Sequence, residues 1–191
     1  MLILLRHGRT AANAAGLLQG RVDNALDDYG QRQALASATA LGRPVRVVSS
    51  PLLRARETAA ALGLPFEIDD RWVELDYGAW DGRPVRDLPA DTWAAWRSDP
   101  TFVPPGGESL VALQHRVETA IGELAEAAAT QDIVVVSHVS PIKAALAWAL
   151  GGGASMSWRM NVSQASISRI RTGAPGPAML SFNEVAHLNG V

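Results

Sequence analysis

The sequence predicts an α/β fold: a three-layer sandwich with a largely parallel central sheet, helices on both faces and a small helical and loop excursion. Three observations carry that expectation. Short apolar runs alternate with helical patterns along the chain. One of them, Ile133-Val134-Val135-Val136, is unbroken and β-branched, as a central strand covered on both faces must be. The positions Leu110, Leu113, Val117, Ile121, Leu124 and Ala128 recur at spacings of three and four, an amphipathic helical stripe.

Taken in order, the strands are expected at Leu2–Leu5, Arg46–Ser49, Ile133–Ser137, Ile167–Arg171 and Met179–Phe182. The run Met1–Leu5 stays apolar for only a few residues before Arg6, too short for a secretory signal, and reads as a buried strand. The turn-rich stretch Thr172–Pro177 between the last two strands suggests a hairpin at the sheet edge. A helix over Pro51–Leu62 opens on a proline and ends at Gly63. Another over Pro141–Leu150 is apolar nearly all round, hence buried, and Gly151-Gly152-Gly153 stops it. That glycine triplet lacks both a preceding strand and a following Lys-Ser/Thr, so helix termination is favoured over a phosphate loop. Segment 76–107, rich in Trp, Pro, Gly and Asp, is expected to be a lid-like insertion within one domain spanning 1–191.

Composition narrows function. A formal net charge of −2 argues against a broad basic face for nucleic acid. With no cysteine, thiolate nucleophiles, disulfides and cysteine-ligated metals are excluded. The longest weakly charged run, Pro141–Gly153, is too short to span a bilayer, so a cytoplasmic protein without membrane partners is expected, monomeric or homodimeric.

Open α/β sheets place their sites beyond the carboxyl ends of the strands. His7 follows the first strand and His138 follows Ile133–Ser137. Arg6 brings a planar fork suited to phosphate oxygens, and Gly8 lets the backbone turn and a ligand approach. Arg54 and Arg56 open the helix after the strand Arg46–Ser49, where dipole and free amides hold anions. Two histidines and at least two arginines around one point suit a dianion. Zinc held by His7 and His138 is disfavoured, because Arg6 and Arg54 would repel it and no third ligand stands at a metal-binding spacing; neither a metal nor a cofactor is expected.

Leu5-Arg6-His7-Gly8-Arg9-Thr10 with Asn13 resembles the signature of the histidine phosphatase superfamily, the phosphoglycerate mutase-like fold. Further blocks resemble it in order: Gln19-Gly20 with Asp23; Leu26 and Gly30–Ala34; Ser49–Ala55 through Thr58; Glu74–Gly78 with Trp80-Asp81-Gly82; Pro105–Ser109; Val136-Ser137-His138; and Asn183 with His187-Leu188. The resemblance implies a phosphatase in which His7 is the nucleophile, Arg6, Arg54 and His138 surround the phosphoryl oxygens, and Asn13 adds a hydrogen bond. It also implies that Glu74 serves as proton donor and then base, with Asp76 as its rival. One departure is Val139-Ser140-Pro141, where the family has two glycines; the amides of Val139 and Ser140 are expected to face the anion. Thr10, Gln19, Gly20 and Glu108 stand between substrate binding and turn structure, and Arg56 is expected to be solvated or ion-paired. His115 is expected to face solvent. Within the family, α-ribazole-phosphate phosphatases and broad acid phosphatases look closest. Phosphoglycerate mutase-type transfer remains an alternative, disfavoured because the region between the Glu74 block and His138 is compact, with few positive charges to hold a second acidic group. A non-catalytic phosphoryl-binding protein is the other, disfavoured by the presence of Glu74.

Overall fold

The computed structural model describes all residues 1–191. Six strands form one sheet: β1 (Leu2–Arg6), β2 (Arg46–Ser49), β3 (Glu67–Ile68), β4 (Ile133–Ser137), β5 (Ile167–Arg171) and β6 (Ala178–Glu184). Their order is β3-β2-β4-β1-β5-β6; the first four are mutually parallel, and β5 and β6 add an antiparallel edge. The expected edge hairpin is thus present, with β6 outermost. Register pairs Arg6 with Ser137 and Ser49 with Val136, so the carboxyl ends of β1, β2 and β4 lie level, and the chain leaves all three at one rim.

Alternation along the strands feeds two cores, as a sheet covered on both faces requires. Leu2, Leu4, Ile133 and Val135 point into one, packed with Leu113, Val117 and Ile121 of α5 (Leu110–Ala128) and Leu146 of α6 (Val139–Ala149). Ile3, Leu5, Val134 and Val136 point into the other, against Ala55 and Ala59 of α3 (Leu53–Ala60) and, at its margin, Ala38 and Leu41 of α2 (Asp28–Leu41). The short helix α1 (Ala11–Ala14) follows β1, and the 76–107 segment carries 3₁₀ turns and α4 (Ala90–Ser98). Trp80, Trp96 and Phe102 tie that segment into the first core, with Trp93 against its margin.

Several boundaries differ from the sequence expectation for a common reason, capping by distant residues. α3 begins at Leu53, not Pro51, because Asp23 Oδ1 accepts from the Leu53 amide at 2.5 Å. α6 begins at Val139, two residues early, because the Glu74 carboxylate accepts from the Val139 and Ser140 amides. α2 and the two-residue β3 have no counterpart in the sequence reading. The buried positions of α2 are Gly30, Gln33, Ala34 and Ser37, small or polar residues that draw no apolar stripe. Gly8 serves a packing purpose beyond that expected of it. A Cβ there would stand 2.4 Å from Gly30 O, and one on Gly30 would stand 2.0 Å from Arg9 O, so the strand-end loop and α2 touch backbone to backbone.

Candidate active site

The rim of β1, β2 and β4 carries the candidate site. His7 leaves β1 and His138 leaves β4 as the residue capping α6; their ring centroids are 5.1 Å apart. His7 Nδ1 lies 2.7 Å from Gly8 O. A carbonyl only accepts, so Nδ1 carries the proton and Nε2 keeps its lone pair. Gly8 is fixed in turn by its amide, which donates to Thr58 Oγ1 of α3 at 3.1 Å.

Arg54, fully buried, sets the other ring. Its Nε donates to His138 Nδ1 at 3.2 Å, which makes Nδ1 the acceptor and Nε2 the protonated nitrogen, 2.7 Å from Ser50 Oγ. The remainder of the Arg54 fork donates to Val22 O and Gly20 O, both at 2.8 Å. That loop is held by Asp81, whose carboxylate accepts from the amides of Gly20, Arg21 and Val22 at 2.7, 2.7 and 2.9 Å. Arg6 is freer: Nη1 donates to Val162 O at 2.6 Å, while its buried Nε has no partner.

The electrostatics favour neutral imidazoles and an anionic guest. Burial, reinforced by the charges of Arg6 and Arg54, holds the His7 imidazolium well below its ordinary range. His138 is pushed the same way, by burial and then Arg54. Burial also draws the Arg6 guanidinium down to about 10, which leaves it cationic at neutral pH. Glu74 is the buried carboxylate whose field acts on both arginines, so two buried cations face one buried anion.

Glu74 follows a 3₁₀ turn at Asp70–Trp72 whose Trp72 is fully buried and whose carbonyl accepts from Ser137 Oγ at 2.7 Å. Three amides hold its carboxylate: Leu75 at 2.7 Å, Val139 at 3.1 Å and Ser140 at 3.1 Å. The Val139 and Ser140 amides, expected to face the phosphate, therefore face Glu74. The helix end still holds an anion, but that anion belongs to the protein. Arg116 of α5 braces the segment that carries Glu74, through Arg71 O at 2.5 Å and Glu74 O at 3.3 Å.

Other candidates take defined places. Asn13 and Thr10 form a capping box in which Asn13 Oδ1 accepts from the Thr10 amide at 3.1 Å, so the Nδ2 amide is the end open to a ligand. Thr10 Oγ1 reaches Gln19 Oε1 at 2.8 Å, and Gln19 Nε2 is a buried donor without a partner. Gly20 holds Arg54 through its carbonyl. Asp76 accepts from the Gly78 amide at 2.8 Å and shapes a turn; Glu108 forms a bidentate pair with Arg116 at 2.7 and 2.9 Å. Arg56 and His115 face solvent. Ser50, Asp81 and Arg116 carry positioning duties that sequence reasoning did not assign. Ser50 and Asp81 fall within the blocks carrying the family resemblance, whereas Arg116 gave no signal of its own.

The fold and this rim together define a phosphoryl-binding α/β protein. Residues 2–185 match the family described as the histidine phosphatase superfamily (branch 1), and the chain belongs to that family. A bifunctional protein of Mycobacterium tuberculosis is 35% identical over 198 residues, covering 98% of this chain and 54% of its own length. The chain thus spans about half the length of that relative. Phosphoserine phosphatase 1 of Hydrogenobacter thermophilus is 34% identical, with 98% of this chain and 93% of that protein covered. Among solved structures, a mycobacterial glucosyl-3-phosphoglycerate phosphatase in complex with VO3 superposes with a TM-score of 0.87 and 32% identity, covering 96% of this chain and 98% of that one. No helix is long and apolar enough to cross a membrane.

Proposed function

We propose that the protein hydrolyses a small phosphomonoester through a phosphohistidine on His7, with Glu74 moving the proton. The observation that carries this reading is the tautomer of His7: Nδ1–H is committed to Gly8 O at 2.7 Å, and Nε2 offers its lone pair beside His138 and two buried guanidinium groups. The relatives, phosphatases of phosphoserine and of glucosyl-3-phosphoglycerate, support the same reaction class.

In the first step His7 Nε2 attacks phosphorus in line. The P–O bond to the alcohol breaks as the P–N bond forms, and the Glu74 carboxyl, having taken up a proton as the substrate binds, gives it to the departing oxygen. In the second step a water oxygen attacks phosphorus and Glu74 takes the proton. The P–N electron pair returns to Nε2, and inorganic phosphate leaves. Arg6 carries most of the oxyanion stabilisation, because its Nε and most of its fork are uncommitted. Arg54 contributes charge and fixes the His138 tautomer, so that Nε2–H, which donates to Ser50 Oγ at 2.7 Å in the free site, is the hydrogen for which an oxyanion competes. Asn13 Nδ2 and Gln19 Nε2 complete the donors.

Release of p-nitrophenol from p-nitrophenyl phosphate in EDTA tests the proposal. Wild type is expected to turn over and His7→Ala to be inactive; equal rates for the two would remove the covalent route.

A further inference from the structure

The loop 162–166 leads into β5 and carries backbone groups that orient both His7 and Arg6. Val162 O accepts from Arg6 Nη1 at 2.6 Å, the contact that aims a fork otherwise free. Ser166 O accepts from the Arg6 amide, and the Ala165 amide donates to His7 O, both at 3.1 Å. The nucleophile and the least committed guanidinium thus share one support, and Val162, Ala165 and Ser166 are all buried.

Local preference does not hold this loop in shape. The Ser166 amide donates to Ser163 O at 3.1 Å, closing a turn in which Ala165 has φ +53°. That left-handed conformation favours glycine or asparagine, so an alanine keeps it only where the surroundings over-determine it. Two residues near the end of the chain supply the surroundings. Asn183 Oδ1 accepts from the Ser163 amide at 2.7 Å, and Asn183 Nδ2 donates to Ser163 Oγ at 3.3 Å. Asn183 is turned toward the loop by a β-bulge: between the pairs Ile167–Glu184 and Arg169–Ser181, β6 holds one more residue than β5. Within the bulge Asn183 takes φ +52°, which asparagine tolerates, and its amide donates to Ser168 Oγ at 3.0 Å.

His187 secures the other end of the turn. Its Nε2 lies 3.0 Å from Ala165 O, which only accepts, so Nε2 carries the proton. Ser37 Oγ of α2 stands 3.2 Å from the same nitrogen and is itself tied to Gln33 O at 2.8 Å. We propose, resting on the phosphatase reading above, that Asn183 and His187 are positioning residues: they clamp the turn 163–166 so that Val162 O aims the Arg6 fork and the Ala165 amide fixes the backbone of His7. The closing block of Asn183 with His187-Leu188 thereby acts on the reaction centre without taking part in either chemical step.

The test measures kcat and KM on p-nitrophenyl phosphate and the Ki of vanadate, with a urea melt to establish folding. Asn183→Gly keeps the left-handed backbone and removes the clamp; His187→Phe keeps a ring and removes the donor. Each is expected to lower kcat/KM by about tenfold to a hundredfold, the scale of a displacement of about 1 Å at a reacting centre. Each is also expected to weaken vanadate by the same factor, because that mimic leans on the Arg6 fork as the transition state does. Asn183→Asp retains the acceptor and His187→Gln the donor, so both are expected within about threefold of wild type. A folded Asn183→Gly or His187→Phe with wild-type kcat/KM overturns the inference. So does a fall in kcat with vanadate affinity unchanged, which marks only a smaller active fraction, and so does a conservative variant as impaired as its disruptive counterpart. The two positions are read separately, so one variant that fails to fold leaves the other to decide. Wild type without p-nitrophenyl phosphate turnover overturns the phosphatase reading itself, and this inference with it.

Discussion

Arg54→Lys keeps the charge at the site and removes the fork that organises it. Arg54 is fully buried and spends its donors on three separate groups: His138 Nδ1 at 3.2 Å, Val22 O at 2.8 Å and Gly20 O at 2.8 Å. A lysine ammonium is a compact point charge and cannot span a ring and two carbonyls at once. Three charge-assisted hydrogen bonds are each worth about 1.5–3 kcal/mol, and a lysine re-forming one of them leaves a net destabilisation of about 3–6 kcal/mol. The effect on rate has a second source. Without the Nε donor, His138 Nδ1 is free to take the proton, and Nε2 then ceases to be the donor end. Loss of one preorganised donor from a charge-developing site costs about 100- to 1000-fold in kcat, about 2.7–4 kcal/mol. The assay is kcat on p-nitrophenyl phosphate, paired with ¹⁵N NMR of the His138 ring and a urea melt to establish that the variant is folded. A folded Arg54→Lys with kcat within about threefold of wild type, about 0.65 kcal/mol of barrier, refutes the reasoning. So does an unchanged His138 tautomer accompanied by the full rate loss, because the loss would then have come from charge placement alone.

Glu74→Gln retains the shape of the amide-held carboxyl but cannot shuttle a proton, so kcat is expected to fall by about 10²–10⁴ while vanadate still inhibits; an unchanged rate hands the role to Asp76. Gly30→Ala sets two effects against each other. Helix propensity favours Ala by about 1 kcal/mol, but the new Cβ would lie 2.0 Å from Arg9 O in backbone that cannot swing aside. Overpacking costs about 1–3 kcal/mol or more, so denaturant melts should show net destabilisation, and a stabilised variant contradicts the packing. Stability should also fall in mild acid. His7 and His138 stay neutral in the folded protein but titrate near their ordinary value once unfolded, so the unfolded chain binds more protons below about pH 6.5. Stability is therefore complete above that pH and declines beneath it by about 1.4 kcal/mol per pH unit for each ring, about 4 kcal/mol for the pair at pH 5. Equal urea midpoints at pH 7 and pH 5 contradict the buried neutral pair.

What the sequence made legible follows from how local each signal is. The β-branched run of β4 and the six-position stripe of α5 are self-contained patterns, and both became elements with matching cores. The meeting of His7 and His138 was legible for a topological reason: parallel neighbours end at one rim, and β1 pairs directly with β4. α2 was not legible, because it packs through Gly30, Gln33, Ala34 and Ser37 against backbone instead of through an apolar stripe. The Glu74 contacts with Val139 and Ser140 join positions 65 and 66 residues apart, and Asp81 reaches back some 60 residues to the Arg54 loop. Such long-range caps leave no trace in local spacing. They explain why α3 and α6 start where they do, and why the amides after His138 serve a carboxylate of the protein.

The central claim is that His7 Nε2 carries the phosphoryl group between substrate and water. Rapid quenching into alkali during turnover of a ³²P-labelled phosphomonoester, followed by peptide mapping, reads that directly. Alkali-stable, acid-labile label on the peptide bearing His7, absent from His7→Ala, is the predicted result; turnover with no labelled protein, or label on another residue, contradicts it.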